Sequence, residues 1–235
     1  MTVGIWLGCH TRDLLENLKQ IYLDLLNELG FEYKIVDYGN VCCGYPADLM
    51  GADEAALEAS KKALKLALDA KVEKVVTPCP GCYRHLSVNW GQEMPIEHLT
   101  QFLAGNVEKL RNKLKPLNAR IAYHDPCDLG RHCGIYEEPR RILEAIQGIE
   151  LVELEMNREK CTCCGGGGLL FAVEPELSLR IAMRKFEEEI KPLKIDYLAT
   201  ACPTCYRILS YAVERTEFKG EVVDIAELLY KSLKS

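Results

Sequence analysis

The sequence lacks several features that define common functional classes. No apolar run approaches the ~20 residues that a membrane-spanning helix needs. Basic residues do not predominate, since 29 Lys and Arg stand against 35 Asp and Glu, and a nucleic-acid partner therefore gains no electrostatic support. The N-terminal residues do not show the charged and then apolar segments of a secretion signal. We therefore expect a cytoplasmic protein with no transmembrane segment and no nucleic-acid partner.

Two cofactor signatures are missing as well. No Gly-x-Gly-x-x-Gly follows a predicted strand at the start of a helix, so we assign no NAD or flavin site. The chain also lacks the Cys-x₂-Cys-x₂-Cys-x₃-Cys-Pro run of bacterial ferredoxins. The four glycines at 165–168 favour a close approach of backbone to a bound group over the binding of a nucleotide phosphate.

Cysteine, by contrast, is abundant, with 12 residues in a chain of 235. Ten of them form one arrangement that occurs twice: a lone cysteine, an adjacent pair followed by glycine, and a Cys-Pro-x-Cys motif. Adjacent cysteines cannot easily form a disulfide, because neighbouring Cα atoms lie ~3.8 Å apart and a disulfide favours ~5.5–6 Å. Without a secretion signal, this abundance indicates a reducing compartment and metal binding. The copies comprise Cys9, Cys42, Cys43, Cys79 and Cys82, and then Cys127, Cys163, Cys164, Cys202 and Cys205.

Five cysteines per copy restrict the kind of metal centre without fixing it. A structural zinc ion takes four ligands, usually from two spaced pairs, whereas iron–sulfur clusters are held by thiolates in more varied patterns. The spacing therefore favours iron–sulfur clusters. Zinc in at least one half is the second alternative, and redox disulfide chemistry is the third. Cys133 and Cys161 lie outside the arrangement, and we interpret both as additional thiols near a cluster.

Hydrophobic periodicity predicts alternating strands and helices in each copy. Thr11 or Asp13 is predicted to cap the first helix, and Gly30 to end it. A linker is predicted at 112–118, which gives domains of residues 1–112 and 119–235. Every cysteine group follows a predicted strand, so parallel strands would bring five sulfurs of each half to one sheet edge. The predicted strands are Val3–Leu7, Tyr33–Asp37, Lys74–Thr77, a short stretch from Ile96, Arg120–His124, Leu151–Leu154, Tyr197–Thr200 and Val222–Ile225.

These motifs resemble the cysteine-rich CCG domains of heterodisulfide reductase, in its catalytic B subunit or the matching half of the D subunit. Related domains occur in the iron–sulfur subunits of complexes that oxidise lactate or glycerol 3-phosphate. Those relatives often lack a full Cys-x-x-Cys in the first half, whereas this chain keeps Cys79 and Cys82. The most typical strings are Tyr123-His124-Asp125-Pro126-Cys127-Asp128-Leu129-Gly130-Arg131-His132, Cys163-Cys164-Gly165-Gly166-Gly167-Gly168 and Ala201-Cys202-Pro203-Thr204-Cys205.

The resemblance implies an α/β fold of two duplicated CCG domains, each a small, mostly parallel sheet with flanking helices, related by pseudo-two-fold symmetry. It implies two non-cubane 4Fe–4S clusters, one on each set of five cysteines, and a small disulfide substrate that is cleaved reductively between them. A ferredoxin-like iron–sulfur subunit and a flavoprotein are the implied electron donors. The alternative is an electron-transfer iron–sulfur subunit of a complex that oxidises lactate, glycerol 3-phosphate or another hydroxy acid.

Several residues beside the cysteines are further candidates. His10 and His132 are candidate proton donors, because thiolate products need protons and histidine titrates near neutral pH. His124 is interpreted as a hydrogen-bonded histidine at a strand end. Anionic substrate groups are candidates for binding by Arg84, Arg131 and Arg207.

Overall fold

The computed structural model describes residues 2–39 and 41–234. The chain divides into two compact units, residues 1–103 and residues 104–235. The predicted domain limits of 112 and 119 lie a short way further along the chain and stay predictions. Each unit contains one four-stranded sheet in which all strand pairs are parallel, with helices as the connections. The predicted α/β class and the duplicated arrangement are confirmed.

The first unit has the strand order β2-β1-β3-β4. The second strand pairs with one side of the first, and the third strand pairs with its other side. The connection after the first strand and the connection after the third therefore run in opposite directions along the sheet. The strands are β1 (Thr2–Ile5), β2 (Glu32–Ile35), β3 (Lys74–Thr77) and β4 (Ile96–His98). The helices are α1 (Cys9–Leu14), α2 (Glu16–Glu28), α3 (Tyr45–Leu49), α4 (Asp53–Asp69), α5 (Pro80–Trp90) and α6 (Leu99–Asn106), the last of which continues into the second unit.

The second unit repeats this topology with the strand order β6-β5-β7-β8. Its strands are β5 (Ala119–His124), β6 (Ile149–Val152), β7 (Tyr197–Thr200) and β8 (Glu221–Asp224). Its helices are α7 (Glu137–Glu144), α8 (Leu170–Val173), α9 (Pro175–Lys185), α10 (Pro203–Val213) and α11 (Ile225–Lys234). Short 3₁₀ turns lie at Val107–Lys109, Arg111–Lys113, Arg158–Lys160 and Lys191–Leu193, and a π-helical turn spans Phe186–Ile190.

The start of the first helix differs from the prediction. It begins at Cys9, and neither Thr11 nor Asp13 caps it, because Thr11 is fully buried inside α1. Gly8 takes a positive φ of 76° and its carbonyl oxygen accepts the N–H of Arg12 at 2.9 Å, so the chain turns into a helix directly after the strand. Glycine allows this backbone conformation at little cost. The predicted stop is confirmed, since α2 ends just before Gly30.

The core of each unit packs directly against its cysteines. In the first unit, Cys43 and Cys82 share a buried cluster with Trp6 and Trp90, whose rings meet edge to face with centroids 6.2 Å apart. In the second unit, the corresponding apolar cluster is built around Phe186 and contains Cys164, Cys202 and Cys205. The sulfurs therefore lie at the boundary between the sheet core and the loops. Within 2–39 and 41–234, no helix combines the length and the apolar character that crossing a membrane requires.

Candidate metal centres

The strand order brings the lone cysteine and the Cys-x-x-Cys motif of each unit together. Cys9 follows β1 and Cys79 follows β3. These two strands are neighbours, and the connections that follow them run towards opposite edges of the sheet, to β2 and to β4 respectively. Cys127 and Cys202 follow β5 and β7 in the same way. Open α/β sheets form a crevice at such a point, beyond the carboxyl ends of the strands, and ligands commonly bind there.

Each Cys-x-x-Cys motif forms the first turn of a helix. Cys79 lies at the N-cap of α5 with extended backbone, and Pro80 is the first helical residue, where its missing N–H costs nothing. Cys202 and Pro203 begin α10 in the same way. The positive end of the helix dipole therefore lies beside each motif and favours a thiolate there. Hydrogen bonds to other cysteines and burial act in the opposite direction and raise the pKa of the second cysteine of each motif.

Each Cys-Cys-Gly segment is a tight turn that depends on its glycine. Gly44 and Gly165 have φ values of 101° and 87°, which side chains rarely tolerate. A Cβ atom on Gly165 would also lie 2.6 Å from the carbonyl oxygen of Ser178, and one on Gly44 would overlap the carbonyl oxygen of Ala56. The glycine N–H groups turn back towards sulfur, because Gly44 donates to Cys42 Sγ at 3.4 Å and Gly165 to Cys163 Sγ at 3.3 Å.

The cysteine sulfurs meet within each unit. Cys164 Sγ and Cys205 Sγ lie 3.2 Å apart, and hydrogen bonds from Cys127 and Cys164 lower the pKa of Cys163 to about 2. In the first unit, hydrogen bonds from Cys42 and Cys82 lower the pKa of Cys43 well below its usual value. Cysteine side chains of each unit therefore lie within hydrogen-bonding distance of one another. All twelve cysteines are free of disulfides.

The sulfurs differ in their access to solvent. Cys9 and Cys42 are exposed, whereas Cys43 and Cys82 are buried. In the second unit Cys163 is exposed, Cys127 is partly exposed, and the remaining three members of the set are buried. We refer to each cysteine set with its surroundings as a pocket, and to its exposed or partly exposed cysteines as the rim and its buried cysteines as the floor.

These pockets fit a thiolate-bound group. Two buried nitrogen atoms, Trp6 Nε1 and His124 Nε2, have no hydrogen-bond partner among the described residues. A ring nitrogen of His124 lies within 4.8 Å of the sulfurs of Cys164 and Cys205. Five undisulfided sulfurs with an unpartnered nitrogen nearby match the donor chemistry of an iron–sulfur cluster and its hydrogen-bonding surroundings.

His124 is only partly satisfied, unlike the fully hydrogen-bonded histidine that we expected from the sequence. Burial lowers its pKa to about 3, so the ring is neutral at ordinary pH. Its Nδ1 lies 3.4 Å from Cys161 Sγ, and burial raises the pKa of that thiol to about 11. Cys161 is thus a protonated thiol beside the pocket, and its assignment outside the ligand set stays a prediction, as does that of Cys133.

A buried arginine links the two loops of the second pocket. Arg140 is 2% exposed and donates from Nη1 and Nη2 to the two carboxylate oxygens of Asp125, at 2.8 and 3.0 Å. It also donates to Glu153 at 2.6 and 2.8 Å. The backbone N–H of Arg158 completes the link by donating to Asp125 at 2.8 Å. Asp125 precedes Cys127 by two residues, so this network positions the loop that carries the lone cysteine.

The predicted arginines occupy specific protein contacts. Arg131 donates from Nη1 to the carbonyl oxygens of Cys161 and Glu159, at 2.7 and 3.2 Å. Arg84 stacks on Tyr45 and donates to its hydroxyl at 3.0 Å. The guanidinium of Arg207 lies 5.3 Å from the ring centroid of Phe171. The substrate roles of all three stay predictions.

The candidate proton donors differ in exposure. His10 lies on α1 and is partly exposed, whereas His132 is exposed and donates its backbone N–H to the carbonyl oxygen of Cys127 at 3.2 Å. His85, which sequence reasoning missed, is buried with Nδ1 3.6 Å from Asp48 and lies against the Gly44 turn. Its spacing of three residues from Cys82, on one helical face, was the available signal.

A family comparison agrees with this arrangement. The model of the cysteine-rich CCG domain matches residues 3–87 and again residues 121–210. These two segments contain all ten cysteines of the repeated arrangement. Each match thus takes in one complete pocket.

Individual relatives cover most of the chain. The D subunit of the dihydromethanophenazine:CoB–CoM heterodisulfide reductase of Methanosarcina barkeri is 34% identical over 89% of this chain and 53% of its own length. The B subunit of the CoM/CoB fumarate reductase of Methanothermobacter marburgensis is 34% identical over 97% of this chain and 45% of its own. The EtfAB:quinone oxidoreductase of Syntrophomonas wolfei is 29% identical over 98% of this chain and 34% of its own length.

The chain spans about half the length of the first two relatives and a third of the other. The similarity therefore concerns the duplicated cysteine-rich unit and not the remaining parts of those proteins. With both halves matched by the family model, the chain belongs to the cysteine-rich CCG domain family.

Proposed function

We propose that this chain is the iron–sulfur catalytic subunit of a cytoplasmic heterodisulfide reductase-like complex that cleaves a small disulfide reductively. The observation that carries the proposal is the complete set of five cysteines in each half, gathered by equivalent strands and turns. The similarity to one chain of a heterodisulfide reductase over most of this sequence supports the same function.

The proposed ligands are the ten cysteines of the two sets, which would hold one non-cubane 4Fe–4S cluster per half. Reduction of a disulfide to two thiols needs two electrons, and a duplicated site provides two one-electron centres. When bound, the clusters would supply these electrons and Lewis-acid iron that stabilises the departing thiolates.

The remaining chemistry falls to the protein side chains. The accessible sulfurs of each rim leave the pocket open to a substrate, while the buried floor excludes water. We assign proton donation to His132, which is exposed beside the Cys127 loop, and to His10 next to Cys9. Arg84 and Arg207 are proposed to attract anionic groups of the substrate.

The complex is proposed to include a ferredoxin-like iron–sulfur subunit and a flavoprotein. This chain has no ferredoxin-type cysteine run of its own, so electrons must reach its clusters from another centre. Relatives that are twice as long leave room for such a centre in the same polypeptide or in a neighbouring one. An active preparation without any such partner would contradict this part of the proposal.

The second candidate is an electron-transfer iron–sulfur subunit of a complex that oxidises a hydroxy acid such as lactate or glycerol 3-phosphate. The similarity to an EtfAB:quinone oxidoreductase, whose name includes no disulfide, favours this alternative. It predicts clusters that are reduced by a flavoprotein and no turnover of any disulfide.

The deciding experiment starts with iron, zinc and acid-labile sulfide in anaerobically purified protein. Two clusters give about eight irons and eight sulfides per chain. Disulfide-dependent oxidation of a reduced viologen then separates the two candidates, because only the reductase supports it. About four irons with one zinc would refute the two-cluster proposal and indicate that one half is structural.

A further inference from the structure

Trp6 and His124 occupy equivalent positions in the two units. Trp6 precedes Cys9 by three residues, and His124 precedes Cys127 by three. The strand registers agree as well. Ile5, which precedes Trp6, pairs with Val76, and Tyr123, which precedes His124, pairs with Ala199, the counterpart of Val76 in the second unit. Neither residue belongs to a cysteine motif, and they differ in chemistry.

Both side chains are buried and carry a nitrogen without a partner. Each residue is only 1% exposed. Trp6 Nε1 and His124 Nε2 are both buried polar atoms that make no hydrogen bond within residues 2–39 and 41–234. A buried donor without a partner destabilises a fold, so its presence at the same place in both halves calls for a common explanation.

The two residues also share their surroundings with equivalent cysteines. Trp6 shares a buried cluster with Cys43 and Cys82. His124 has a ring nitrogen within 4.8 Å of the sulfurs of Cys164 and Cys205, the counterparts of those two cysteines. From the equivalence of the two positions we infer that both unpartnered nitrogens lie at the floor of their pockets.

An indole nitrogen can only donate a hydrogen bond. The first pocket therefore needs an acceptor near Trp6, and the equivalent place in the second pocket needs one near His124. Cys161 Sγ lies 3.4 Å from His124 Nδ1. When this thiol donates to Nδ1, the single proton of the neutral ring is on Nε2, which is then a donor. We propose that Trp6 and His124 are positioning residues that each donate a hydrogen bond to a sulfur of the iron–sulfur cluster in their unit.

This inference rests on the proposed clusters and assigns the two nitrogens a role in tuning them. Hydrogen bonds to cluster sulfur stabilise the more negatively charged, reduced state and raise its reduction potential. Because tryptophan supplies the bond in one unit and histidine in the other, the two clusters are tuned by different donors. The potentials of the clusters can thus differ although their cysteine sets match.

The test measures iron content and then the midpoint potentials of both clusters in anaerobic protein, by a spectroscopically monitored redox titration. Trp6→Phe removes one N–H and keeps an aromatic ring, and we expect a negative shift of one cluster with iron unchanged. His124→Leu should shift the other cluster negatively. His124→Gln retains a donor and should give a smaller shift than His124→Leu.

Trp90→Phe is the matched control. Trp90 packs against Trp6 in the same cluster, but its indole N–H donates to the carbonyl oxygen of Ser60 at 3.1 Å. This variant should leave both potentials unchanged. An equal shift in Trp90→Phe and Trp6→Phe would overturn the proposal, because the cause would then be general loosening of the core.

If Trp6→Phe does not fold, Trp6→His is the second variant, because it keeps a ring N–H. It should retain a potential near the wild-type value, and a large negative shift of its potential would contradict the proposal.

Iron analysis separates this inference from the function on which it rests. Wild-type protein that binds no iron would refute the clusters themselves before any variant is compared. Normal iron with unchanged potentials in both Trp6→Phe and His124→Leu would refute only the hydrogen bonds. Loss of about half of the iron in both His124 variants would identify His124 as a ligand and would also overturn its role as a donor.

Discussion

The two halves anchor the loop of their lone cysteine in different ways. In the first half, the carboxylate of Asp37 accepts the backbone N–H of Gly8 at 2.8 Å, and Arg12 Nη1 lies 3.8 Å from the same carboxylate. In the second half, Asp125 accepts both terminal nitrogens of the buried Arg140. Both halves therefore combine a backbone hydrogen bond to a buried carboxylate with an arginine beside it. They differ in the arginine, because Arg140 is itself buried and forms two hydrogen bonds with the carboxylate, whereas Arg12 is partly exposed and lies further away.

A second support is shared between the halves. Arg12 donates to the carbonyl oxygen of Val41, the residue before the first cysteine pair, at 3.1 Å. Arg131 similarly binds the carbonyl oxygen of Cys161, two residues before the second pair. Strand order, glycine turns and these arginines are thus common to both pockets, while the carboxylate support varies. The shared features determine where the sulfurs meet, and the variable one determines how each half responds to mutation and pH.

The largest expected effect comes from removing the buried arginine of the second half. Arg140→Leu leaves Asp125 without its partner in a buried position, so we expect a loss of about 3–5 kcal/mol in the free energy of unfolding. Urea unfolding measures this loss. The control is Arg184→Leu, whose exposed ion pair with Glu188 is screened by solvent, so this variant should unfold close to the wild type. A loss below about 1 kcal/mol for Arg140→Leu would show that the buried network is dispensable.

The glycine turns should be the next most sensitive feature, and similarly so in both halves. Gly165→Ala places a Cβ 2.6 Å from the Ser178 carbonyl oxygen at a positive φ, which should cost about 1–3 kcal/mol and displace the adjacent cysteines. Iron analysis should show about half of the wild-type content if two clusters are bound. Gly167→Ala is the control, since an added Cβ there meets no atom within 4 Å. Equal iron in the two variants would contradict this prediction.

Removal of the shared arginine support should have a smaller effect. Arg131→Ala deletes two charge-assisted hydrogen bonds at a partly exposed site, so we expect a loss of about 1.5 kcal/mol in stability. Faster release of iron to a chelator should accompany this loss. Arg12→Ala makes the parallel change in the first half. If neither variant releases iron faster than the wild type, the arginines do not support the cysteine loops.

The smallest expected effect is a difference in acid sensitivity. The hydrogen bond from Arg140 lowers the pKa of Glu153, so ionised Glu153 stabilises the folded second half above its unfolded pKa of about 4.3. This contribution is lost as pH falls through the lower folded value. Unfolding free energies measured from pH 6 to pH 3 should therefore decline less steeply in Glu153→Gln than in the wild type. Parallel curves would show that the carboxylate is not coupled to folding.

The sequence predicted those parts of the fold that local patterns determine. β3 at Lys74–Thr77 and β7 at Tyr197–Thr200 are confirmed, because short apolar runs there end at the Cys-Pro-x-Cys motifs. The start of α1 was wrong, because a positive-φ glycine outweighed the capping preference of Thr11. The short helices α3 and α8 were missed because each has only a few residues and depends on the preceding glycine turn.

The contacts between distant residues were beyond sequence reasoning. Arg140 lies 15 residues after Asp125 and 13 before Glu153, so no helical or strand period connects them. The unpartnered nitrogens of Trp6 and His124 likewise become visible only when burial and hydrogen bonds are known. The cysteine sets could be assembled from sequence because their chemistry is distinctive and each follows a strand.

Because the cysteines of each set differ in exposure, a group that arrives from solution meets some of them before the others. An incoming iron species meets the exposed thiols of Cys9 and Cys42 in the first half, or of Cys163 in the second, before it reaches the floor. The same exposed thiols are the first that oxygen can reach in the empty protein. Iron and oxygen therefore react first with the same exposed cysteines, so iron must bind there before oxygen oxidises them.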